Sequence, residues 1–190
     1  NGFFYISYYD TNIGTHNVVY TDIENTDNYD HIYQSDLCGW VGQLGYNKDS
    51  IYGANVFTAE GNETLKAASF YATGKDSQYE LYVVRQFEDE TSLEKMIPVA
   101  SGKLGNAGYY TVDFNQGIEV DAGERYAVVL YIITPGSVHP MAIEYAADEA
   151  TENVDLDDGE SYISANGSKW VSVDTVEKSN LCIKAFSDNR

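Results

Sequence analysis

The sequence has few cysteines, few basic residues and no long apolar run. Of its 190 residues only two are Cys and 11 are Lys or Arg, against 30 Asp or Glu, for a formal net charge of −19. Two cysteines are too few for a disulfide framework or a cysteine zinc site. Because no stretch of about 18 consecutive apolar residues exists, we expect no membrane insertion.

The shortage of basic residues also excludes classes of partner. The first basic residue is Lys48, and the others are scattered singly along the chain. Binding to a phosphate backbone needs clustered Lys and Arg, so we expect neither nucleic acid nor an anionic membrane as a partner. An acidic surface instead keeps a secreted domain soluble and offers oxygen ligands to hard cations.

The two cysteines leave their own state open. A bridge between Cys38 and Cys182 would close a long loop, but the apolar strand pattern LCIKAF around Cys182 favours two buried thiols. The sequence contains no GxSxG, HExxH, P-loop or dinucleotide-binding fingerprint. We therefore expect no catalytic residue within this chain.

Almost all secondary-structure signals are those of β-strands. Runs rich in Tyr, Val, Ile and Phe recur about every ten residues and are separated by Gly and Asn. The clearest runs are 3–9, 54–59, 65–72, 79–87, 109–114, 125–133, 139–146, 161–165, 169–173 and 181–186. About ten strands exceed a comfortable open sheet. The sequence therefore predicts an all-β, two-sheet antiparallel β-sandwich resembling a jelly roll.

Local patterns refine this prediction. Asn166-Gly167 favours a tight hairpin, and the apolar run 127–133 predicts a central strand. The segment 91–96 can form one turn of helix. Residues 10–50 are polar and Gly-rich, and we interpret them as a long ordered connector with short strands at 17–20 and 31–34.

Carboxylates are dense in two segments. The loop 148–160 holds seven, and several of its oxygens could bind one Ca²⁺. The candidate ligands are Asp155, Asp157, Asp158 and Glu160. Their spacing is not that of an EF-hand, and the alternative is a solvated acidic loop. A second group, equally ambiguous, consists of Asp22, Glu24, Asp27, Asp30 and Asp36.

Aromatic residues are abundant, with 17 Tyr and two Trp. Aromatic faces can stack on the apolar faces of pyranose rings while nearby polar side chains bind the hydroxyls. The candidate sugar-binding residues are Trp40, Trp170 and Tyr162. The alternative for both Trp side chains is packing in the core or at a sheet edge.

Two parts of the chain resemble known bacterial proteins. The run from Asn1 to Tyr8 is similar to the last strand of papain-family cysteine peptidases. The remainder resembles the lectin-like domain that follows the peptidase in bacterial surface cysteine proteases. The matching stretches are 17–20, 33–40, 54–57, 65–67, 159–163, Trp170 and 181–186. The resemblance predicts a peptidase tail strand over 1–16 and a lectin-like sandwich over 17–190.

The resemblance implies a jelly-roll fold, a structural Ca²⁺ and a non-catalytic role beside an upstream peptidase domain in cis. We expect a secreted, extracellular domain at the cell surface whose ligand is a glycan, the cell wall or a surface protein. The alternative is a structural spacer that packs on the peptidase and shapes its cleft, with residues 33–40 at the interface. The apolar strand Phe3–Tyr8, without its sheet partners, is expected to be disordered, re-paired or dimer-forming.

Overall fold

The computed structural model describes residues 5–11, 18–21, 23–157, 159–173 and 177–190. Its β-strands are β1 His31–Tyr33, β2 Gly42–Leu44, β3 Ser50–Thr58, β4 Glu63–Ala72, β5 Ser77–Val84, β6 Ile97–Leu104, β7 Gly108–Val120, β8 Arg125–Ile133, β9 Met141–Glu144, β10 Glu160–Ser164, β11 Val171–Ser172, β12 Asn180–Leu181 and β13 Ile183–Asn189. None of the described residues belongs to a helix long and apolar enough to cross a membrane.

The strands form two main antiparallel sheets and one small one. The four-stranded sheet has the order β1-β13-β4-β7, and the six-stranded sheet has the order β11-β10-β3-β8-β5-β6. A three-stranded sheet, β12-β9-β2, completes the fold. Every pairing is antiparallel. The predicted all-β sandwich is therefore confirmed.

The main core lies between the two larger sheets. On β8, Tyr126, Val128 and Leu130 point into this core and are at most 1% exposed. Their neighbours Ala127 and Val129 point to the other face and are also buried. A strand buried on both faces occupies the middle of a sheet, as the apolar run 127–133 predicts.

A second apolar cluster explains the burial of that other face, which we call the outer face of the six-stranded sheet. A 3₁₀-helix over Glu90–Glu94 packs its buried Leu93 into this cluster. Asp89 caps the helix by accepting a hydrogen bond from the Thr91 backbone N–H at 3.0 Å. The predicted turn of helix over 91–96 is thus confirmed, and it covers one part of the outer face only.

The connector over 10–50 is held to the sandwich at its C-terminal half. The strand predicted at 31–34 is β1, and β2 lies in a stretch for which no strand is predicted. The strand predicted at 17–20 is wrong for Val18–Tyr20, which lie outside the sheets and are exposed, and Asn17 is outside the described residues. Tyr5–Tyr8 also lie outside the sheets, whereas Phe3 and Phe4 are not among the described residues.

Candidate functional site

The outer face of the six-stranded sheet carries a cross-strand row of polar and aromatic side chains. Ser101 on β6 lies opposite Glu80 on β5, which lies opposite Tyr131 on β8. Tyr131 in turn lies opposite Tyr52 on β3. The two rings stack with centroids 4.2 Å apart and planes at 22°. Residues directly opposite in an antiparallel pair share a face, so all four side chains belong to the outer face.

The connection between β10 and β11, residues 165–170, packs on this row; it is longer than the tight hairpin predicted at Asn166-Gly167, and of these two residues Gly167 alone has a positive φ. Gly167 has φ +76°, and the Ser164 hydroxyl accepts its backbone N–H at 3.0 Å. A Cβ at Gly167 would come within 3.1 Å of the Tyr52 ring, so the hairpin backbone touches that ring directly. Tyr52 is therefore covered by Tyr131 and by the hairpin, and little of its ring is left for a ligand.

Two of the three predicted sugar-binding residues also lie on the outer face. Trp170 meets Tyr52 edge-on, with centroids 6.2 Å apart and planes at 77°, and its Nε1 is buried without a partner among the described residues. Tyr162 packs beside Phe87 and donates its hydroxyl to Glu160 at 2.9 Å. Burial and Glu160 raise the pKa of Tyr162 to about 12. Both side chains are half-buried and pack against the second apolar cluster.

Trp40 belongs to another surface. The Trp40 side chain is 37% exposed, and its ring centroid lies 5.8 Å from that of Tyr71. The ring centroid of Tyr71 is in turn 5.0 Å from that of Tyr109. Tyr71 and Tyr109 are paired across β4 and β7 of the four-stranded sheet. The structure therefore does not bring Trp40 together with Trp170 and Tyr162.

A pocket lies on the outer face next to Tyr131. Its volume is about 260 Å³. It is lined by Gln78, Tyr79, Glu80, Ser101, Gly102, Lys103, Tyr131 and Ile133. None of these residues was singled out by the sequence. The strand pattern of β5 and β6 does place the exposed polar residues on one face, but it cannot show that an aromatic ring of β8 lies beside them.

Two of the predicted metal ligands in the acidic loop already have partners within the protein. Glu160 pairs with Arg125, and Asp155 accepts the Asp157 backbone N–H at 3.0 Å. A polar pocket of about 410 Å³ adjoins Asp157, Glu160 and Arg125. In the described part of the chain, no three His, Cys, Asp or Glu side chains are arranged to hold a metal ion. Asp158 lies outside the described residues.

The second acidic group is dispersed. Asp36 is buried and pairs with Lys184 at 2.6 Å, and Asp30 accepts the backbone N–H of Asn189 at 2.9 Å. Glu24 accepts a hydrogen bond from Asn28, and Asp27 is exposed. Burial raises the pKa of Asp36, and Lys184 opposes that shift. Asp22 is not among the described residues.

A buried oxygen-rich cluster was missed by the sequence reasoning. Asn180 Nδ2 lies 2.9 Å from the Ser35 carbonyl, 3.1 Å from Glu144 Oε1 and 2.8 Å from the Asp155 carbonyl. An amide nitrogen has only two hydrogens for these three oxygens, and Asn180 Oδ1 is buried without a partner among the described residues. Two sequence signals were available: Asp155, which was predicted as a ligand, and Glu144, an acid at the end of an apolar strand pattern.

Both cysteines are free thiols. Cys182 is buried, but Cys38 is exposed, so the expectation of two buried thiols is wrong for Cys38. The Glu144 carboxylate accepts the Cys38 backbone N–H. Desolvation and the Glu144 charge raise the pKa of the Cys38 thiol. That direction is opposite to the one an activated nucleophile needs.

The comparisons with known proteins agree with this fold. A family model described as "Lectin like domain" matches residues 32–187. A structure of the clostridial cysteine protease Cwp84 after propeptide cleavage has a TM-score of 0.70 and 24% sequence identity, covering 84% of this chain and 40% of that one. A structure of the cysteine protease and lectin-like domains of Cwp84, a surface layer associated protein of Clostridium difficile, has a TM-score of 0.65 and 20% identity, covering 84% of this chain and 36% of that one. No curated protein matches the sequence.

Proposed function

The chain belongs to the lectin-like domain family, and we propose that it is the non-catalytic accessory domain of a secreted bacterial cysteine peptidase. In this proposal the lectin-like domain binds carbohydrate and thereby holds the peptidase at the cell surface. Both similar structures are of the cysteine protease Cwp84. The second comprises its cysteine protease and lectin-like domains and describes Cwp84 as a surface layer associated protein. The chain spans less than half the length of either, which leaves room for a peptidase domain beside it.

The main support for carbohydrate binding is the row of aromatic and polar side chains on the outer face. Glu80, Tyr131 and Tyr52 lie side by side across three strands, and the capping 3₁₀-helix covers a different part of this face. A ligand site combines apolar or aromatic surface with a few well-placed polar groups, which is the composition of this row. Nucleic acid is disfavoured by the net charge of −19.

The test is binding of this 190-residue chain to a glycan array and to purified bacterial cell-wall polysaccharide, with CaCl₂ in the buffer. We expect saturable binding of the chain to at least one glycan class. Heat-denatured chain at equal concentration controls for adsorption. Absence of binding to every glycan and every polysaccharide would overturn the carbohydrate proposal and leave the spacer role.

The spacer role is the second candidate, and it has an observation of its own. Leu37 is 73% exposed and Trp40 is 37% exposed, close together in the sequence of the connector, although both are large apolar side chains. Exposed apolar clusters commonly mark protein interfaces. In the full-length protein, Leu37→Asp should then change peptide cleavage by the peptidase, whereas Val138→Asp, at another exposed apolar position, should not. Equal cleavage by both variants would contradict an interface at Leu37.

Calcium stabilisation is a further part of the proposal. The buried cluster around Asn180 has more oxygen acceptors than donors, which is a fit for a hard cation. With the Asn180 amide turned over so that Oδ1 takes the place of Nδ2, the Glu144 carboxylate, Asn180 Oδ1 and the carbonyls of Ser35 and Asp155 would hold the ion, and the acidic loop would supply Asp157. A bound Ca²⁺ would tie the connector, β9 and the acidic loop together.

The test is a thermal melt in EDTA and then in CaCl₂. A ligand that binds only the native state raises its stability, so a tight site should raise the midpoint by several degrees. Glu144→Gln should reduce that shift, whereas Glu149→Gln, an exposed carboxylate of the same loop, should leave it unchanged. A midpoint that is the same in EDTA and in CaCl₂ would remove the ion from the account.

A further inference from the structure

One face of the Tyr131 ring has no other ring stacked on it among the described residues. Tyr52 occupies the other face at 4.2 Å between centroids. In the sheet order β3-β8-β5-β6, Tyr52 lies on one side of Tyr131, and the pocket residues of β5 and β6 lie on the opposite side. The Tyr52 ring therefore supports Tyr131 from behind, and the pocket opens in front of it. A ring fixed in this way loses little freedom when a ligand stacks on it.

The polar side chains of the pocket are not used by the protein. Gln78, Ser101 and Lys103 are exposed, and their side chains make no hydrogen bond or ion pair within the described ranges. Glu80 accepts one hydrogen bond, from Tyr82 to Oε2, which leaves Oε1 available. The pocket thus combines an ammonium donor, a carboxylate acceptor and two groups that both donate and accept. Sugar hydroxyls, which also donate and accept, match this mixture.

The charge and size of the pocket restrict the class of sugar that it can bind. Lys103 and Glu80 offset each other, and the chain as a whole carries −19, so its field disfavours an anionic sugar. The volume of about 260 Å³ is smaller than the ~300–1,000 Å³ of pockets for drug-sized ligands, so there is space for one ring. Because β6 is the edge strand of its sheet, the pocket is at the sheet border, where a glycan chain can continue into solvent.

We propose that this pocket binds a single uncharged hexopyranose, the terminal residue of a glycan, stacked on the free face of Tyr131 and hydrogen-bonded by Gln78, Glu80, Ser101 and Lys103. The inference rests on the proposed carbohydrate-binding function and specifies its ligand and its residues. Trp170, Tyr162 and Trp40 are not part of this site.

The experiment is an NMR titration of the ¹⁵N-labelled chain with the methyl glycosides of glucose, galactose, mannose, N-acetylglucosamine and glucuronic acid. At least one neutral glycoside should cause saturable shifts that concentrate at residues 78–80, 101–103 and 131–133. The glucuronide should bind about tenfold more weakly or not at all, because its carboxylate meets Glu80 and the negative field. Tighter binding of the glucuronide would overturn the uncharged ligand.

Variants of the pocket identify the residues. Tyr131→Ala should weaken binding about tenfold or more, and Tyr131→Phe should retain it, since stacking needs the ring and not the hydroxyl. The double variant Gln78→Ala/Lys103→Ala should also weaken binding, and it should fold normally because both side chains are exposed and unpaired in the described structure. Tyr145→Ala, a tyrosine 37% exposed just after β9, is the control and should bind as wild type does.

The outcomes separate this inference from the proposed function. If the chain binds glycans on the array while the pocket variants bind equally well, or while no methyl glycoside binds, the single-ring pocket is wrong and carbohydrate binding stands. If the chain binds no glycan of any kind, the proposed function is wrong, and the inference falls with it.

Discussion

The ring of Tyr131 lies against the ring of Tyr52 with 4.2 Å between their centroids, and the backbone of Gly167 lies against Tyr52 from the hairpin. These three groups come from β8, β3 and the 165–170 loop, and together they set the position of the Tyr131 ring at the pocket. The hairpin therefore acts on the candidate site through Tyr52 without entering it.

This arrangement predicts the effect of adding one methyl group. Gly167 and Gly123 have similar φ values, +76° and +78°, but a Cβ at Gly123 would have nothing within 4 Å. Gly123→Ala should cost about 1 kcal/mol, the penalty for a positive φ at an L-residue. Gly167→Ala should cost about 2 kcal/mol or more, because overpacking against Tyr52 adds to that penalty. Urea unfolding of both variants measures the difference, and equal costs would contradict the contact with Tyr52.

Because Asp36 and Lys184 form a buried ion pair, the effects of their substitutions on stability should be strongly coupled. Their side chains are 0% and 12% exposed, and the pair joins the connector to β13. Lys184→Met leaves the Asp36 carboxylate buried and uncompensated, so it should lower the free energy of unfolding by about 3 kcal/mol or more. The double variant Asp36→Asn/Lys184→Met should recover much of that loss. A double variant that is less stable than Lys184→Met in urea unfolding would show that the pair itself is not the cause.

The environment of Glu63 indicates that the folded protein loses stability in acid. Burial alone would raise the pKa of this carboxyl, but hydrogen bonds from Ser187, from Tyr33 and from the Gly61 backbone N–H outweigh it, so the pKa lies below its ordinary value of 4.5. A carboxyl with a lowered folded-state pKa contributes stability above that ordinary value and loses it as the pH falls through the folded-state pKa.

The measurement for Glu63 is unfolding between about pH 6 and pH 3 for wild type and Glu63→Gln. Wild type should be the more stable protein at the upper end and should lose stability more steeply on acidification, so that the two curves converge. Glu94→Gln, an exposed glutamate of the 3₁₀-helix, should follow the wild-type curve. Parallel curves for wild type and Glu63→Gln would contradict the lowered pKa.

The two thiols should react differently with maleimide. Cys38 is exposed, whereas Cys182 is buried. One thiol per chain should react in the native protein and two after unfolding in urea. In EDTA, Glu144→Gln should speed the reaction of Cys38, because removing the neighbouring negative charge lowers the pKa of its thiol. No reactive thiol after unfolding would show that Cys38 and Cys182 are joined by a disulfide.

The sequence predicted the strands better than it predicted the site. Alternating apolar residues and the run 127–133 identify strands because each strand's pattern is local and has a period of two. Asn166-Gly167 correctly indicated a connection between two strands, but the loop spans 165–170 and is not a tight turn, because Asn166 does not adopt a positive φ. The exposed run Val18–Tyr20 was misread because apolar composition alone does not supply a pairing partner.

The candidate site depends on pairing between distant strands. Glu80, Tyr131 and Tyr52 become neighbours only when β5, β8 and β3 are in register, and that register is not a local property of the sequence. Trp170 and Trp40 were predicted as sugar-binding residues because aromatic faces stack on pyranose rings, yet Trp170 packs against Tyr52 and Trp40 lies over the other sheet. The oxygen cluster around Asn180 is similarly built from four separate segments.

The most direct test of the account is a crystal structure of the chain with the methyl glycoside that binds best in solution. We predict a pyranose ring stacked on the free face of Tyr131, with hydroxyls within hydrogen-bonding distance of Glu80 and Lys103. A sugar stacked on Trp40, or one bound away from the six-stranded sheet altogether, would contradict it.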